Sequence, residues 1–197
     1  IIIANSGGTI QTATAGTDNV RIGEGAGDAV TGNDCTIIGH DAGTTLTSGI
    51  SNTLMGSRAG DALNGAGSGA DYNVVMGTLA LTADVEGNRS TAIGHGALEG
   101  QNMGNNISFN TAVGFGSGGA ISSGQSNTVI GYNSGTFIST GAANTFVGSA
   151  AGTGITGTRI TGSNNTAIGQ AAGEDLRGAA SNNTFVGKNS GASATTA

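Results

Sequence analysis

Large aliphatic residues recur along this chain at one place in a short motif, and not at helical intervals. The motif reads Asn-Thr-x-[Ile/Val/Met]-Gly-x-x-[Ala/Ser]-[Gly/Leu] and recurs ten times, in full in six copies and with its Asn or its Thr replaced in the other four. Its key glycines are Gly23, Gly39, Gly56, Gly77, Gly94, Gly114, Gly131, Gly148, Gly169 and Gly187, spaced by 16, 17, 21, 17, 20, 17, 17, 21 and 18 residues. The clearest copies are Asn127-Thr128-Val129-Ile130-Gly131, Asn144-Thr145-Phe146-Val147-Gly148 and Asn165-Thr166-Ala167-Ile168-Gly169. A glycine in every short segment and the lack of a 3.6-residue apolar period exclude helices. Thr, Ile and Val suit strands. A coil this short buries nothing alone, but stacked copies pair in register, which predicts an all-β fold: a parallel β-solenoid (β-roll) of about ten coils. At one strand spacing per coil the rod is roughly 45–50 Å long.

Residues 19–191 form the solenoid in this reading. Residues 1–18 are an N-terminal strand, cap or linker, with Ile1-Ile2-Ile3 and Thr9-Ile10-Gln11-Thr12 as strand material, and 192–197 are a tail. The column just before the key glycine is large and aliphatic throughout: Ile22, Ile38, Met55, Met76, Ile93, Val113, Ile130, Val147, Ile168 and Val186. It is expected to face the coil interior, so Ile93, Val113, Ile130, Val147, Ile168 and Val186 are the predicted core. Small residues three after the glycine (Ala26 to Ser190) should close the opposite wall. A further ladder seven after it comprises Val30, Leu46, Leu63, Ile121, Ile138, Ile155 and Leu176. The recurrent Asn suits left-handed turns and amide ladders between coils. The longer stretches 61–72, 99–109 and 153–164 should bulge from one side.

The column two before the glycine reads Arg21, Ile37, Leu54, Val75, Ala92, Ala112, Val129, Phe146, Ala167 and Phe185. Strand alternation sends it away from the column just described, and soluble monomers avoid so long an exposed apolar stripe. Burial against other copies of the chain resolves the conflict and places Ala92, Ala112, Val129, Phe146, Ala167 and Phe185 in a homotrimer interface. The alternative is a coil interior that accepts both columns.

These motifs resemble the head repeats of trimeric autotransporter adhesins, which are left-handed parallel β-rolls. They resemble still more closely the Asn-Thr-Ala-[Ile/Val]-Gly arrays of bacteriophage tail-fibre proteins. The likeness covers residues 19–191, although the coils here are longer than those of the adhesin heads. It implies an extracellular homotrimer, on a virion tail fibre or a cell surface, whose partners are its own copies and a host-surface receptor, glycans included. Many such fibres end in a self-cleaving chaperone, and an end at Ala197 is compatible with the mature side of such a cut.

Composition narrows the remaining choices. Of 197 residues 39 are glycine, none is Pro or Trp, and only 9% are charged, against about 25% in ordinary domains. A glycine-rich chain without proline or a three-residue period is not collagen. A net charge of -6 gives no basic footprint for nucleic acid, and no apolar run approaches a membrane span. An initial Ile in place of Met indicates a processed chain or a fragment. Cys35 stands alone, so neither an intrachain disulfide nor a Cys-based metal site is expected.

The search for chemistry predicts no enzyme, cofactor or metal site. His40 and His95 follow key glycines in a column of mixed, surface-like residues, three coils apart; a ring of three His40 copies around an ion is the one alternative. Gly23-Glu24-Gly25-Ala26-Gly27 lacks the helix a phosphate loop needs, and Lys188 lacks the Walker context. Asp28, Asp61, Glu174 and Asp175 look like solvated loop carboxylates and lack the calcium nonapeptide spacing. Asp84 and Glu86 flank a turn without a catalytic partner. Two function classes are left. The first is a structural and adhesive fibre segment. The alternative is an ice-binding solenoid using Thr36, Thr53, Thr91, Thr111, Thr128, Thr145, Thr166 and Thr184, disfavoured because this column should share the inward side with the aliphatic one.

Overall fold

The structure, a computed structural model, describes residues 10–11, 16–65, 69–104 and 107–192. Among them there is no helix. Ten three-residue strands stack in sequence order: β2 (Val20–Ile22), β3 (Thr36–Ile38), β4 (Thr53–Met55), β5 (Val74–Met76), β6 (Thr91–Ile93), β7 (Thr111–Val113), β8 (Thr128–Ile130), β9 (Thr145–Val147), β10 (Thr166–Ile168) and β11 (Thr184–Val186). Each is parallel to the next and in register, so that Thr128 pairs Thr145 and Ile130 pairs Val147. The fold is a parallel β-solenoid of ten coils. A shorter strand, β1 (Ile10–Gln11), pairs antiparallel with β2 through Ile10–Ile22 and Gln11–Arg21, covering the first coil's open edge. The remainder of the expected cap, Ile1-Ile2-Ile3, Thr9 and Thr12, lies outside the described residues, as does most of the tail.

The key glycines turn the chain out of the strand and let the coils approach closely. Gly131 has φ 134°, and a Cβ there would lie 2.5 Å from the carbonyl oxygen of Gly148 in the coil above. Its own N–H donates to Val113 O at 2.8 Å. No L-residue combines that φ with that clearance. A second left-handed position stands five before the glycine, at Ser126, Ala143, Asn164 and Asn182 among others. The motif Asn directly follows it and is not itself left-handed.

The two strand columns exchange the sides expected of them. Arg21, Ile37, Leu54, Val75, Ala92, Ala112, Val129, Phe146 and Ala167 are buried within the single chain, and Phe185 packs against the same core. Ala92, Ala112, Val129, Phe146, Ala167 and Phe185 therefore do not lie in an intermolecular seam. The column placed inside by sequence faces outward: Ile93, Val113 and Val147 are half-buried, Ile130 is 38% and Ile168 42% exposed, and Val186 is more open still. The reason is the corner at the key glycine. Asn four before it points inward, alternation sends the residue two before it inward as well, and the chain then bends before the next inward residue, the Ala or Ser three after it.

Core volume is shared within coils and between neighbouring ones: beside Ala112 the space at Gly118 is taken by Leu98 and Val129 from the adjacent coils. Phe146 sits over Gly152, whose added Cβ would lie 2.3 Å from the ring. Where the strand offers only Val75 or Ala92, the glycine four after the key position gives way to Leu81 or Leu98, both buried. The seven-after ladder is buried at Val30, Leu46, Leu63, Ile121, Ile138 and Leu176. In the 153–164 stretch the expected Ile155 is only half-buried; Ile160 takes the core place and bridges Ile138 and Gly178. The intervening turn, closed by an Ile155–Thr158 bridge, projects into solvent.

Asparagines run through the core as a hydrogen-bonded ladder. Asn144 N–H donates to Asn127 Oδ1 at 3.0 Å, and Asn144 Oδ1 accepts from Asn165 N–H at 3.0 Å. The amide nitrogens donate forward to carbonyls of the next coil, Asn127 to Gly141 at 2.9 Å and Asn144 to Gly162 at 3.2 Å. These side chains are fully buried, and the ladder satisfies groups that would each be costly to leave unpaired.

Candidate interaction surface

The outward face of the sheet is the most distinctive surface of the molecule. It carries two parallel rows, the aliphatic column before the key glycines and the Thr column two residues earlier. Thr36, Thr53, Thr91, Thr111, Thr128, Thr145 and Thr166 are half-buried and Thr184 is exposed, so the expectation that the Thr column points into the coil is overturned along with that of its neighbour. Val20 and Val74 replace Thr on β2 and β5, and with Met76 they widen the exposed apolar area. The two rows differ by two residues in one strand, so they stand on the same side and about 6.6 Å apart.

Two rims border this face. On the exit rim, one residue after the key glycine, His95, Phe115 and Tyr132 stack through consecutive coils. The His95–Phe115 ring centroids are 5.1 Å apart with an interplanar angle of 9°, and the Phe115–Tyr132 centroids 5.7 Å apart at 21°. On the entry rim, five before the glycine, the Arg89 guanidinium lies 5.2 Å from the Tyr72 ring centroid and 6.0 Å from that of Phe109. His40, on the exit rim of the second coil, is exposed and lies 3.2 Å from Asp41. The exit-rim positions of His40 and His95 agree with the surface column read from sequence.

The acidic candidates do not converge. Asp28 pairs with Arg21 at 3.2 Å and Asp61 with Arg58 at 2.8 Å. Among the described residues no group of three His, Cys, Asp or Glu side chains is placed to hold a metal ion. Cys35 is buried and free; it takes the Asn place in the second coil, and burial pushes its thiol pKa up.

One polar cluster escapes the sequence reading. Asp84 and Gln101 occupy the seven-after place in the fourth and fifth coils, where the coils on either side carry Val, Leu or Ile, and both are fully buried. Gln101 Nε2 donates to Asp84 Oδ2 and to Ser90 Oγ, and its Oε1 accepts from Asn110 Nδ2 at 2.8 Å. Asp84 Oδ1 accepts from the Gly87 and Met103 N–H groups at 3.1 Å each. Ser90 replaces Asn in the ladder and bonds Ser108, which donates to Asn88 O at 2.9 Å. Burial pushes the Asp84 carboxyl above its ordinary pKa, opposed by donors from Gln101 and the backbone of Met103, Gly87 and Val85. The signal was present as two gaps in an otherwise apolar ladder. The cluster replaces two apolar rungs of the core with an enclosed, hydrogen-bonded polar layer.

No known protein family, curated protein or solved structure matches this chain.

Proposed function

We propose that the chain is a segment of a trimeric adhesive fibre, a rigid rod whose outward sheet face packs against two further copies. The supporting observation is the unbroken outward column from Ile22 to Val186, aliphatic in all ten coils although it lies outside the chain's own core. A stripe of this length is a docking surface in soluble proteins. Three rods sharing it would bury it along its whole length. The repeat's resemblance to adhesin heads and phage tail fibres supplies the attachment role, with the projecting loops as the receptor-contacting part, on a virion or cell surface. Light scattering on the intact chain tests the reading: a native mass three times the chain mass is expected. Ile130→Glu should dissociate the assembly, because three like charges would be crowded around one axis. A monomeric wild type overturns it.

A second reading has gained an observation. The Thr row, broken at Val20 and Val74, and the aliphatic row both face outward; an ice-binding face needs a flat, outward, regular array, usually of two Thr columns, of which one is present. It predicts a measurable thermal hysteresis gap, abolished by Thr128→Lys. The two readings exclude one another, since a face buried in a trimer cannot meet ice.

A further inference from the structure

We propose that the two rims of the sheet face are complementary halves of one seam, in which His95, Phe115 and Tyr132 of one chain pack against Tyr72, Arg89 and Phe109 of the next. This rests on the trimer reading above and specifies how the copies join. Each strand crosses the face from entry rim to exit rim, so the two clusters stand on opposite edges of one surface. Elsewhere the entry rim holds Asp18, Asp34, Ser51, Ser126, Ala143, Asn164 and Asn182, small residues suited to its left-handed backbone. Only on three consecutive coils does it carry Tyr72, Arg89 and Phe109, at φ 60°, 60° and 50°. Bulky side chains are disfavoured there, and the return within the single chain is the exposed stacking of Arg89 on Tyr72 and Phe109, which is weak in water.

Height along the rod supplies the second argument. The entry cluster precedes β5, β6 and β7, and the exit cluster follows β6, β7 and β8. They overlap on two coils, placing Arg89 level with His95 and Phe109 level with Phe115. A closed ring of identical chains joins one patch to a different patch on the neighbour at the same height. Two unlike, level, half-exposed aromatic clusters on opposite edges meet that requirement, and a two-fold pairing of like with like would not need it. Aromatic and Arg side chains are also those that anchor interfaces, and the offset-stacked ladders leave ring edges free to meet the neighbour's rings.

The test is a charge exchange across the seam, with native mass measured by light scattering over a dilution series. Phe115→Glu alone and Phe109→Lys alone should each weaken the trimer at least about tenfold. The double variant Phe109→Lys/Phe115→Glu should recover it. Rescue has to act between chains, because the two positions in one chain are separated by a whole strand. A thermal melt on each variant shows that the coils remain folded. A trimeric wild type whose double variant is no better than either single variant, or whose single variants stay fully trimeric, overturns the seam and leaves the trimer standing. A monomeric wild type overturns both.

Discussion

Phe146 and Val147 are neighbours in one strand and occupy opposite environments: the Phe146 ring is fully enclosed by its own coil, while Val147 stands half-open on the outer face. The Phe146 ring fills the space above Gly152 and touches the place where a Gly135 side chain would go. Truncation leaves a cavity that rigid neighbouring coils cannot close. Phe146→Ala should cost about 3–5 kcal/mol, and Val147→Ala should change monomer stability far less. Chemical denaturation of the two variants compares them directly, and equal losses would contradict the assignment of sides.

Gly131 tests the corner. Its φ of 134° and the Gly148 carbonyl 2.5 Å from a would-be Cβ leave Ala two poor choices, strain or separation of the coils. Gly131→Ala should destabilise by about 1–3 kcal/mol or more. Gly157, with no atom within 4 Å of an added Cβ, should tolerate Ala better, at the cost of its φ of 86° alone. A melting series with both variants settles the comparison.

Asn144 tests the ladder. Replacing it with Ala orphans the Asn165 N–H and the Gly162 carbonyl, both bonded to its carboxamide, for about 1–3 kcal/mol. Thr145→Ala on the outer face removes no such partner and should stay within about 0.5 kcal/mol in the dissociated chain. Amide exchange in the ninth coil should accelerate only in the Asn144 variant.

Asp84 predicts a pH dependence. Its folded pKa is raised, chiefly by burial, so the folded state favours the protonated acid. Below the ordinary Asp pKa both states are protonated and the group costs nothing. As pH rises through the ordinary value and then the folded one, the unfolded chain ionises more readily and stability falls. The stability of Asp84→Asn relative to wild type should therefore increase from strongly acidic to neutral pH. Denaturation midpoints measured across that range would refute the account if the difference stayed constant.

The repeat period, the coil count and the in-register stacking were legible because identical residues at a near-constant spacing leave parallel strands few other options. The sides of the strand were not legible, since both columns are apolar. What separates them is variation in size. The inner column runs from Ala92 to Phe146, and the difference is taken up at the four-after place in some coils, as at Gly152 and Leu98, and by adjacent coils in others, as at Gly118 and Gly173. The outer column stays Ile, Val or Met and lies half-buried to exposed along its length. Asp84 and Gln101 were passed over for a related reason: a carboxylate in a turn-rich sequence resembles a solvated loop residue until the ladder's missing rungs are assigned to it. The aromatic rims were also hidden, because His95, Phe115 and Tyr132 lie about twenty residues apart in sequence and only the coil pitch brings their rings together.

The asparagine ladder gives the rod a direction. Every link has the same sense: a carboxamide oxygen in one coil receives the backbone amide of the next, and the same side chain's nitrogen reaches ahead to that next coil's carbonyl, as Asn127 does toward Asn144 and Gly141. A finished coil thus exposes an acceptor and a donor already fixed at the positions its successor needs. A polypeptide leaving the ribosome N-terminus first would meet a prepared template at every coil that follows an Asn, all but those after Cys35 and Ser90, so growth can proceed from the β1-covered end like the closing of a zip, with most teeth set by the one before.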